Sequence, residues 1–204
     1  MKSLSVRAIL LALTPLLTFP ISAQTKLKVV HVFVALADNA HQGIVPVPAA
    51  LGNGDDPDRN LYWGAAFGVK TFFERSRDWL PLGAPERNPS HQILERATFV
   101  HVKTRTILIA DAYRGSEIKQ ALNDYFSAAA GKEKTVTFNT LEKDGRTTSA
   151  ELKADLVVYV GHDGLMDFAL EKAYPGEETP KREAIMLACA SKQYFAGTLR
   201  NTGA

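Results

Sequence analysis

Two short apolar runs, each ending at a reactive side chain, constrain this sequence most. The run "ADLVVYV" leads into Gly161-His162-Asp163-Gly164, and "EAIMLA" leads into Cys189, the single cysteine of the chain. Runs of this length, rich in Val, Ile and Leu, are typical of buried strands in a parallel sheet. Parallel strands end at one edge of the sheet, where ligands bind, so we expect His162 and Cys189 to face one crevice. A histidine and a thiol are the groups that thiol-based nucleophilic catalysis requires.

Strand-like and helix-like segments alternate along the rest of the chain. The apolar runs "KLKVVHVFVALAD" and "TILIADAY" predict buried strands. Helices are predicted for "LYWGAAFGVKTFFERSRDW" after Asn60, and for "EIKQALNDYFSAAA" between Ser116 and Gly131. "ATFVHVKTRTILIADAY" reads either as one long strand or as a hairpin turning near Lys103–Arg105, and Asp144-Gly145 signals another hairpin. This order predicts an α/β fold with a doubly wound, mostly parallel sheet.

Residues 1–23 have the pattern of a secretory signal peptide. Lys2 and Arg7 precede an apolar run, and the small residue Ala23 marks the expected cleavage site. A membrane anchor is the alternative, but two prolines divide the run into pieces shorter than the roughly 20 residues that a spanning helix needs. The pattern therefore predicts a protein exported to the periplasm or the exterior.

The length of residues 24–204 predicts one soluble domain, since domains commonly contain about 100–200 residues. The whole chain has 24 basic and 22 acidic residues and a formal net charge of +2. Lys2 and Arg7 account for that excess, so the mature chain is close to neutral. It lacks the basic surface typical of nucleic-acid-binding proteins, and no later run predicts a membrane span. The oligomeric state is left open.

The strings "VVYVGHDG" and "IMLACAS" resemble the catalytic strands of the caspase-like cysteine peptidases, a group that includes caspases, legumains, clostripain and gingipains. In that group, one strand of a doubly wound sheet ends in a His-Gly motif and the next ends in an Ala-Cys motif. The resemblance implies a cysteine endopeptidase in which Cys189 attacks the peptide carbonyl and His162 manages the proton. It also implies that the backbone amides of Gly164 and Cys189 bind the oxyanion. The implied partner is a peptide or protein substrate, without a cofactor.

Three departures from that pattern leave other functions open. Asp163 separates His162 from Gly164, the spacing from His162 to Cys189 is short, and the chain ends at Ala204, soon after the cysteine. Strands beyond the cysteine build much of the specificity pocket in the resembling group. The chain is thus predicted to be either C-terminally truncated or without peptidase activity. The alternatives are a non-catalytic caspase-like binding or interaction module and a small-ligand-binding α/β domain.

Three acidic residues, Asp38, Asp111 and Asp163, fall at predicted strand ends and are candidate substrate-binding groups. An acidic rim would favour a substrate with Lys or Arg before the scissile bond, since like charges repel. His41 follows the first strand and is placed to enter the same crevice. The acidic loop "GNGDDPDRN" lacks the glycine and glutamate positions of an EF-hand loop, so it reads as a solvated turn and no metal is expected. A lone cysteine is also compatible with an inert, buried position.

Overall fold

The computed structural model of the protein describes residues 27–132, 136–141, 147–176 and 182–204. The predicted signal segment 1–23 and the predicted Asp144-Gly145 turn lie outside the described residues. Among the helices of the described ranges, none has the length and apolar character that crossing a membrane requires.

The described residues contain nine strands, three α-helices and two short 3₁₀ helices. The strands are β1 (Val29–Ala35), β2 (Trp79–Pro81), β3 (Glu86–Arg87), β4 (Ile93–His101), β5 (Ile107–Tyr113), β6 (Val136–Leu141), β7 (Thr147–Leu152), β8 (Leu156–Val160) and β9 (Glu183–Leu187). The α-helices are α1 (Val69–Arg75), α2 (Ile118–Ala129) and α3 (Ser191–Thr202), and the 3₁₀ helices are Gly115–Glu117 and Gly164–Met166.

Seven strands form one mixed sheet in the order β2-β4-β5-β1-β8-β9, with β3 also paired to β4. The strands β5, β1, β8 and β9 run parallel to one another, whereas β4 is antiparallel to β5 and to both β2 and β3. Strands β6 and β7 form a separate antiparallel pair. This sheet, with its helices, confirms the prediction of a general α/β fold.

Alternate side chains of β1 enter two different cores, which is why the strand reads as a continuous apolar run. Phe33 packs in a core with Phe126 of α2 and Phe195 of α3. On the opposite face, Val34 packs in a second core with Trp63. Full burial of a side chain such as Phe126 contributes about 1.5–3 kcal/mol. The central strands are thus fixed from both sides, and their carboxyl ends are held at one edge.

The long helix predicted after Asn60 is mostly wrong. The chain makes successive turns there, and only Val69–Arg75 is helical, while Trp79 belongs to β2. Gly64 explains part of the difference, because a Cβ at that position would lie 2.2 Å from the carbonyl oxygen of Asp58. The glycine permits a close backbone approach that no other residue allows, and the segment turns where a helix would have continued.

Three smaller expectations have mixed outcomes. The hairpin alternative is confirmed, since β4 and β5 are antiparallel and Arg105 in the connecting turn has a φ of 57°. Gly131, with a φ of 84°, follows the end of α2 as predicted. Ser116 is not the N-cap of that helix, because it lies within the 3₁₀ helix Gly115–Glu117 and α2 begins only at Ile118.

Asn60 instead fixes the long loop that follows β1. Its side chain is fully buried, with Oδ1 accepting from the amide of Ala37 at 3.0 Å and from that of Tyr62 at 3.2 Å. Its Nδ2 donates to the carbonyl of Ala37 at 2.8 Å and to that of Asn53 at 3.0 Å. One side chain therefore anchors both ends of the segment that carries Asp38.

Replacing Asn60 with alanine is expected to lower the free energy of unfolding by about 1–3 kcal/mol, because buried backbone groups lose their partners. Urea titration of the mature protein measures this loss. Asn53→Ala is the matched control, since its exposed side chain accepts only from the nearby amide of Asp55. Equal losses in the two variants would contradict the anchoring role.

Candidate active site

The carboxyl ends of the four parallel strands meet at one edge of the sheet, the position at which α/β folds bind ligands. Asp38 lies shortly after β1, and Gly115 after β5. His162 follows β8 and Cys189 follows β9. The edge therefore combines residues that are far apart in the sequence.

His162 and Cys189 follow neighbouring parallel strands, as the sequence predicts. Val160 pairs with Leu187 in the ladder of β8 and β9, and the amide of Gly161 donates to the carbonyl of Leu187 at 3.3 Å. Each reactive residue lies two positions beyond that last pair. The Cys189 side chain is exposed, whereas His162 is buried with 8% of its surface accessible. Within the described residues, no hydrogen bond joins the two side chains.

A carboxylate that the sequence analysis missed holds the imidazole of His162. The His162 Nε2 lies 2.8 Å from Oδ2 of Asp167, which also accepts from the amide of Gly43 at 2.9 Å. Partial burial raises the pKa of Asp167, but the hydrogen bonds from Gly43 and His162 outweigh it and hold the pKa below its ordinary value. Asp167 therefore orients His162 and ties its loop to the loop after β1. The only sequence signal was an acidic residue close to His162 in the chain.

Cys189 lies in a sharp turn between β9 and α3. The next residue, Ala190, adopts a left-handed conformation with a φ of 47° and immediately precedes α3. This conformation is strained for a residue with a Cβ, and such strain is concentrated at functional sites. Burial raises the pKa of Tyr62, and an electrostatic contribution from Cys189 adds to the rise. A strand, a nucleophile and a helix thus follow one another directly.

The two residues after His162 form a turn of their own. Asp163 is fully buried, and its Oδ1 accepts from the amide of Leu165 at 3.2 Å, which caps the 3₁₀ helix Gly164–Met166. Burial raises the pKa of Asp163, whose Oδ2 has no hydrogen-bond partner among the described residues. The amide of Gly164 donates to the carbonyl of His162 at 3.0 Å. In this conformation, the Gly164 amide is engaged within the turn instead of facing a substrate oxygen.

Asp38 organises the loop at the edge. Its Oδ1 accepts from the amides of Ala40 at 2.8 Å and His41 at 3.2 Å, and its Oδ2 lies 2.9 Å from Nδ1 of His41. Asp38 itself is 5% exposed, while 59% of the His41 side chain is accessible. His41, not Asp38, is the group that this loop presents to solvent.

Asp111 belongs to an ionic cluster within the core. The residue lies inside β5 and not at its end, and it is 1% exposed. Its Oδ1 accepts from Nε of Arg96 at 2.6 Å, and its Oδ2 lies 2.9 Å from Nε2 of His31. Beside this cluster, the hydroxyl of Tyr113 donates to Asp124 at 2.9 Å. The prediction that Asp111 ends a strand is wrong, because the strand continues to Tyr113.

Asp38, Asp111 and Asp163 do not form the acidic rim that the sequence predicts. All three side chains are buried and have partners within the protein. They provide no exposed negative surface, so the expected preference for a basic substrate residue loses its physical basis. In the acidic loop, Asp55 pairs with Arg114 and Asp56 with Arg59, and the described residues contain no cluster suited to a metal ion.

Two recesses adjoin this part of the molecule. One, of about 420 Å³, is lined by Asp167, by neighbouring residues of its loop, and by Tyr194 and Thr198 of α3. The other, of about 620 Å³, is lined by residues 190–193 at the start of α3 and follows Cys189 directly. Neither recess is lined by His162 or Cys189.

Comparison of the chain with protein-family models, with curated proteins and with solved structures gives no match. Its function must therefore be inferred from its own residues and their arrangement.

Proposed function

We propose that this protein is an exported cysteine endopeptidase with a doubly wound, caspase-like arrangement of its parallel strands. The observation that supports this proposal most is the register of β8 and β9. Because Val160 pairs with Leu187, His162 and Cys189 leave adjacent strands at the same height and at the same edge. Adjacent strands lie about 4.8 Å apart, so the proposal expects the two side chains to approach each other across a small cleft.

Each residue of this arrangement has a defined chemical role in the proposal. Cys189 Sγ attacks the carbonyl carbon of the scissile peptide, and the thiol proton passes to His162. The imidazole then gives that proton to the leaving amine. Because Asp167 engages Nε2 at 2.8 Å, Nδ1 is the ring nitrogen that exchanges the proton. The carboxylate stabilises the imidazolium while the thiolate is present.

The oxyanion needs backbone donors near the thiol. The amide of Cys189 makes no hydrogen bond within the described part of the chain and is the first donor. The amide of Gly164 is bonded to the carbonyl of His162 at 3.0 Å, so its participation requires the turn after His162 to rearrange when substrate binds. Hydrogen bonds in free enzymes are often longer or differently aligned than those in the substrate complex.

Alkylation of the thiol tests whether His162 and Cys189 act together. Iodoacetamide is expected to label Cys189 rapidly in the folded protein, because the thiol is exposed and the histidine accepts its proton. His162→Ala is expected to slow this labelling, measured by mass spectrometry against time, while His101→Ala provides a histidine control on β4. A labelling rate unaffected by loss of His162 would contradict the dyad.

A panel of fluorogenic peptides tests the reaction itself, with Cys189→Ala as the blank. Cleavage by the wild type but not by this variant is the expected result. Because Asp38, Asp111 and Asp163 are buried, the panel must vary the residue before the scissile bond without favouring basic residues.

A non-catalytic binding module is the second candidate. The observation that favours it is the hydrogen bond that engages His162 Nε2 with Asp167, together with the absence of a bond from His162 to Cys189 within the described residues. Rapid labelling that depends on His162, without cleavage of any peptide, would favour this module.

A further inference from the structure

The outer edge of β9 has backbone groups that pair with no other strand of the described residues. Strand β9 is the last strand of the sheet, and no described strand pairs with its outer side. The amide of Glu183 donates to the carbonyl of Asp155 at 3.1 Å, and the carbonyl of Leu187 accepts from Gly161 at 3.3 Å. Alternate residues therefore bond inward to β8, and Ala184 and Met186 direct their amides and carbonyls outward.

The exposed face of the same strand is apolar. Ile185 is 43% exposed and Leu187 is 57% exposed, whereas Ala184 and Met186 pack on the core side. Between Ala184 and Leu187, the strand contains no charge, proline or bulge, which are the usual devices that prevent edge pairing. The opposite edge of the sheet is protected, because β2 has only three residues and ends at Pro81.

We propose that β9 pairs antiparallel with β9 of a second copy of this chain, about a two-fold axis at Met186. In this register, Met186 lies opposite Met186, and Ala184 lies opposite Ala188 of the second copy. Ala184 and Met186 are the residues of β9 whose backbone groups point outward, and Ala188 directly follows the strand, so the two edges can exchange hydrogen bonds in this register. Ile185 then lies opposite Leu187 on the exposed face, and the two copies cover four large apolar side chains.

The charges at the two ends of β9 favour the same orientation. Glu183 is exposed at the start of the strand, and Lys192 is exposed in the first turn of α3. Antiparallel pairing brings Glu183 of each copy toward the end of the strand at which the second copy has Lys192. A parallel arrangement would place like charges together, so opposite charges select a symmetric antiparallel dimer over a parallel one.

The expected association is weak. A pair of five-residue strands covers less surface than the roughly 1,200–2,000 Å² that stable interfaces bury. We therefore expect a reversible dimer with a Kd above about 1 μM.

Sedimentation velocity of the mature protein tests the proposal at loading concentrations from about 5 to about 500 μM. This range covers the Kd values expected for a weak dimer. The weight-average sedimentation coefficient of the wild type is expected to rise toward that of a dimer. The double variant Ile185→Lys, Leu187→Lys is expected to remain monomeric. Phe67→Lys removes a side chain that is 97% exposed elsewhere and is expected to behave as the wild type. A wild type that is monomeric throughout, or a dimer that survives both lysines, would overturn the proposal.

Disulfide trapping tests the register independently. Antiparallel pairing about Met186 places Met186 opposite Met186 of the second copy, at a hydrogen-bonded position with a Cα separation of about 5.5 Å. This separation suits a disulfide, so Met186→Cys in a Cys189→Ala background is expected to form a covalent dimer under mild oxidation. Cys189→Ala alone is expected to stay non-covalent, because it contains no thiol. Trapping no faster for Met186→Cys than for Phe67→Cys in the same background would exclude this register.

Discussion

Replacement of Asp111 by alanine is expected to lower the free energy of unfolding by about 3–5 kcal/mol, the range for removing one partner of a buried ion pair. The carboxylate is 1% exposed and accepts from Nε of Arg96 at 2.6 Å and from Nη2 of Arg96 at 2.8 Å. It also lies 2.9 Å from Nε2 of His31. The variant leaves the guanidinium, whose side chain is only 20% exposed, without its partner. Urea titration measures the loss.

The same carboxylate predicts how stability depends on pH. Burial raises the pKa of Asp111, but hydrogen bonds from His31 and Arg96 outweigh burial and hold the pKa below its ordinary value. The carboxylate therefore stabilises the fold at pH values above the unfolded pKa of about 3.9, and this stabilisation is lost as the pH falls through the folded pKa. Below about pH 4, stability should fall more steeply in the wild type than in Asp111→Asn.

Asp58→Asn is the matched control for Asp111. Its carboxylate also pairs with an arginine, Arg87, at 2.8 Å, but the two side chains are 58% and 50% exposed. Exposed pairs contribute about 0–1 kcal/mol, so this variant should remain close to the wild type. Similar losses for Asp58→Asn and Asp111→Ala would show that burial does not determine the contribution of the Asp111 pair.

The central strands were predictable because burial on both faces of the sheet requires the same apolar, β-branched residues that favour a strand locally. β1 and β5 lie in the middle of the sheet and are covered on both faces, so they retain continuous apolar sequences. The helix predicted after Asn60 failed for the opposite reason. Its apolar residues have helical spacing, but Gly64 and Gly68 allow close backbone contacts that favour turns. Such close contacts between backbone groups five or six residues apart have no signature in the spacing of the apolar residues.

The polar residues of the candidate site were only partly predictable. The positions of His162 and Cys189 after neighbouring strands follow from strand patterns. The partner of a polar side chain does not, because hydrogen bonds such as that from His162 to Asp167 depend on loop conformation. Glu95 shows the same limit, since it is fully buried and pairs with Lys70 at 2.7 Å and with Arg87 at 3.1 Å. Nothing in the sequence distinguishes these carboxylates from solvated ones.

Asp167→Asn is expected to slow alkylation of Cys189 in the folded protein and, where peptide cleavage is observed, to lower kcat. The carboxylate lies 2.8 Å from His162 Nε2, and its negative charge stabilises the imidazolium that accompanies the thiolate. General acid-base assistance contributes about 10²–10⁴-fold, so a loss of roughly 10²-fold in kcat is expected when the histidine remains but its orienting charge is removed. The rate should recover at higher pH, since hydroxide then generates the thiolate without the ion pair. A purely structural role would lower the rate equally at every pH.

Glu171→Gln provides the matched control for Asp167, because it removes a carboxylate from the same segment. Glu171 is 85% exposed and pairs with Lys119 at 2.9 Å, away from His162. In Glu171→Gln, the rate of Cys189 alkylation and its pH dependence should match those of the wild type. Asp167→Glu should recover part of the lost rate, because it restores the charge. If Cys189 is alkylated as fast in Asp167→Asn as in the wild type, but slowly in His162→Ala, the role of Asp167 is limited to anchoring the loop at Gly43. In that case, the histidine would act on the thiol without an orienting carboxylate.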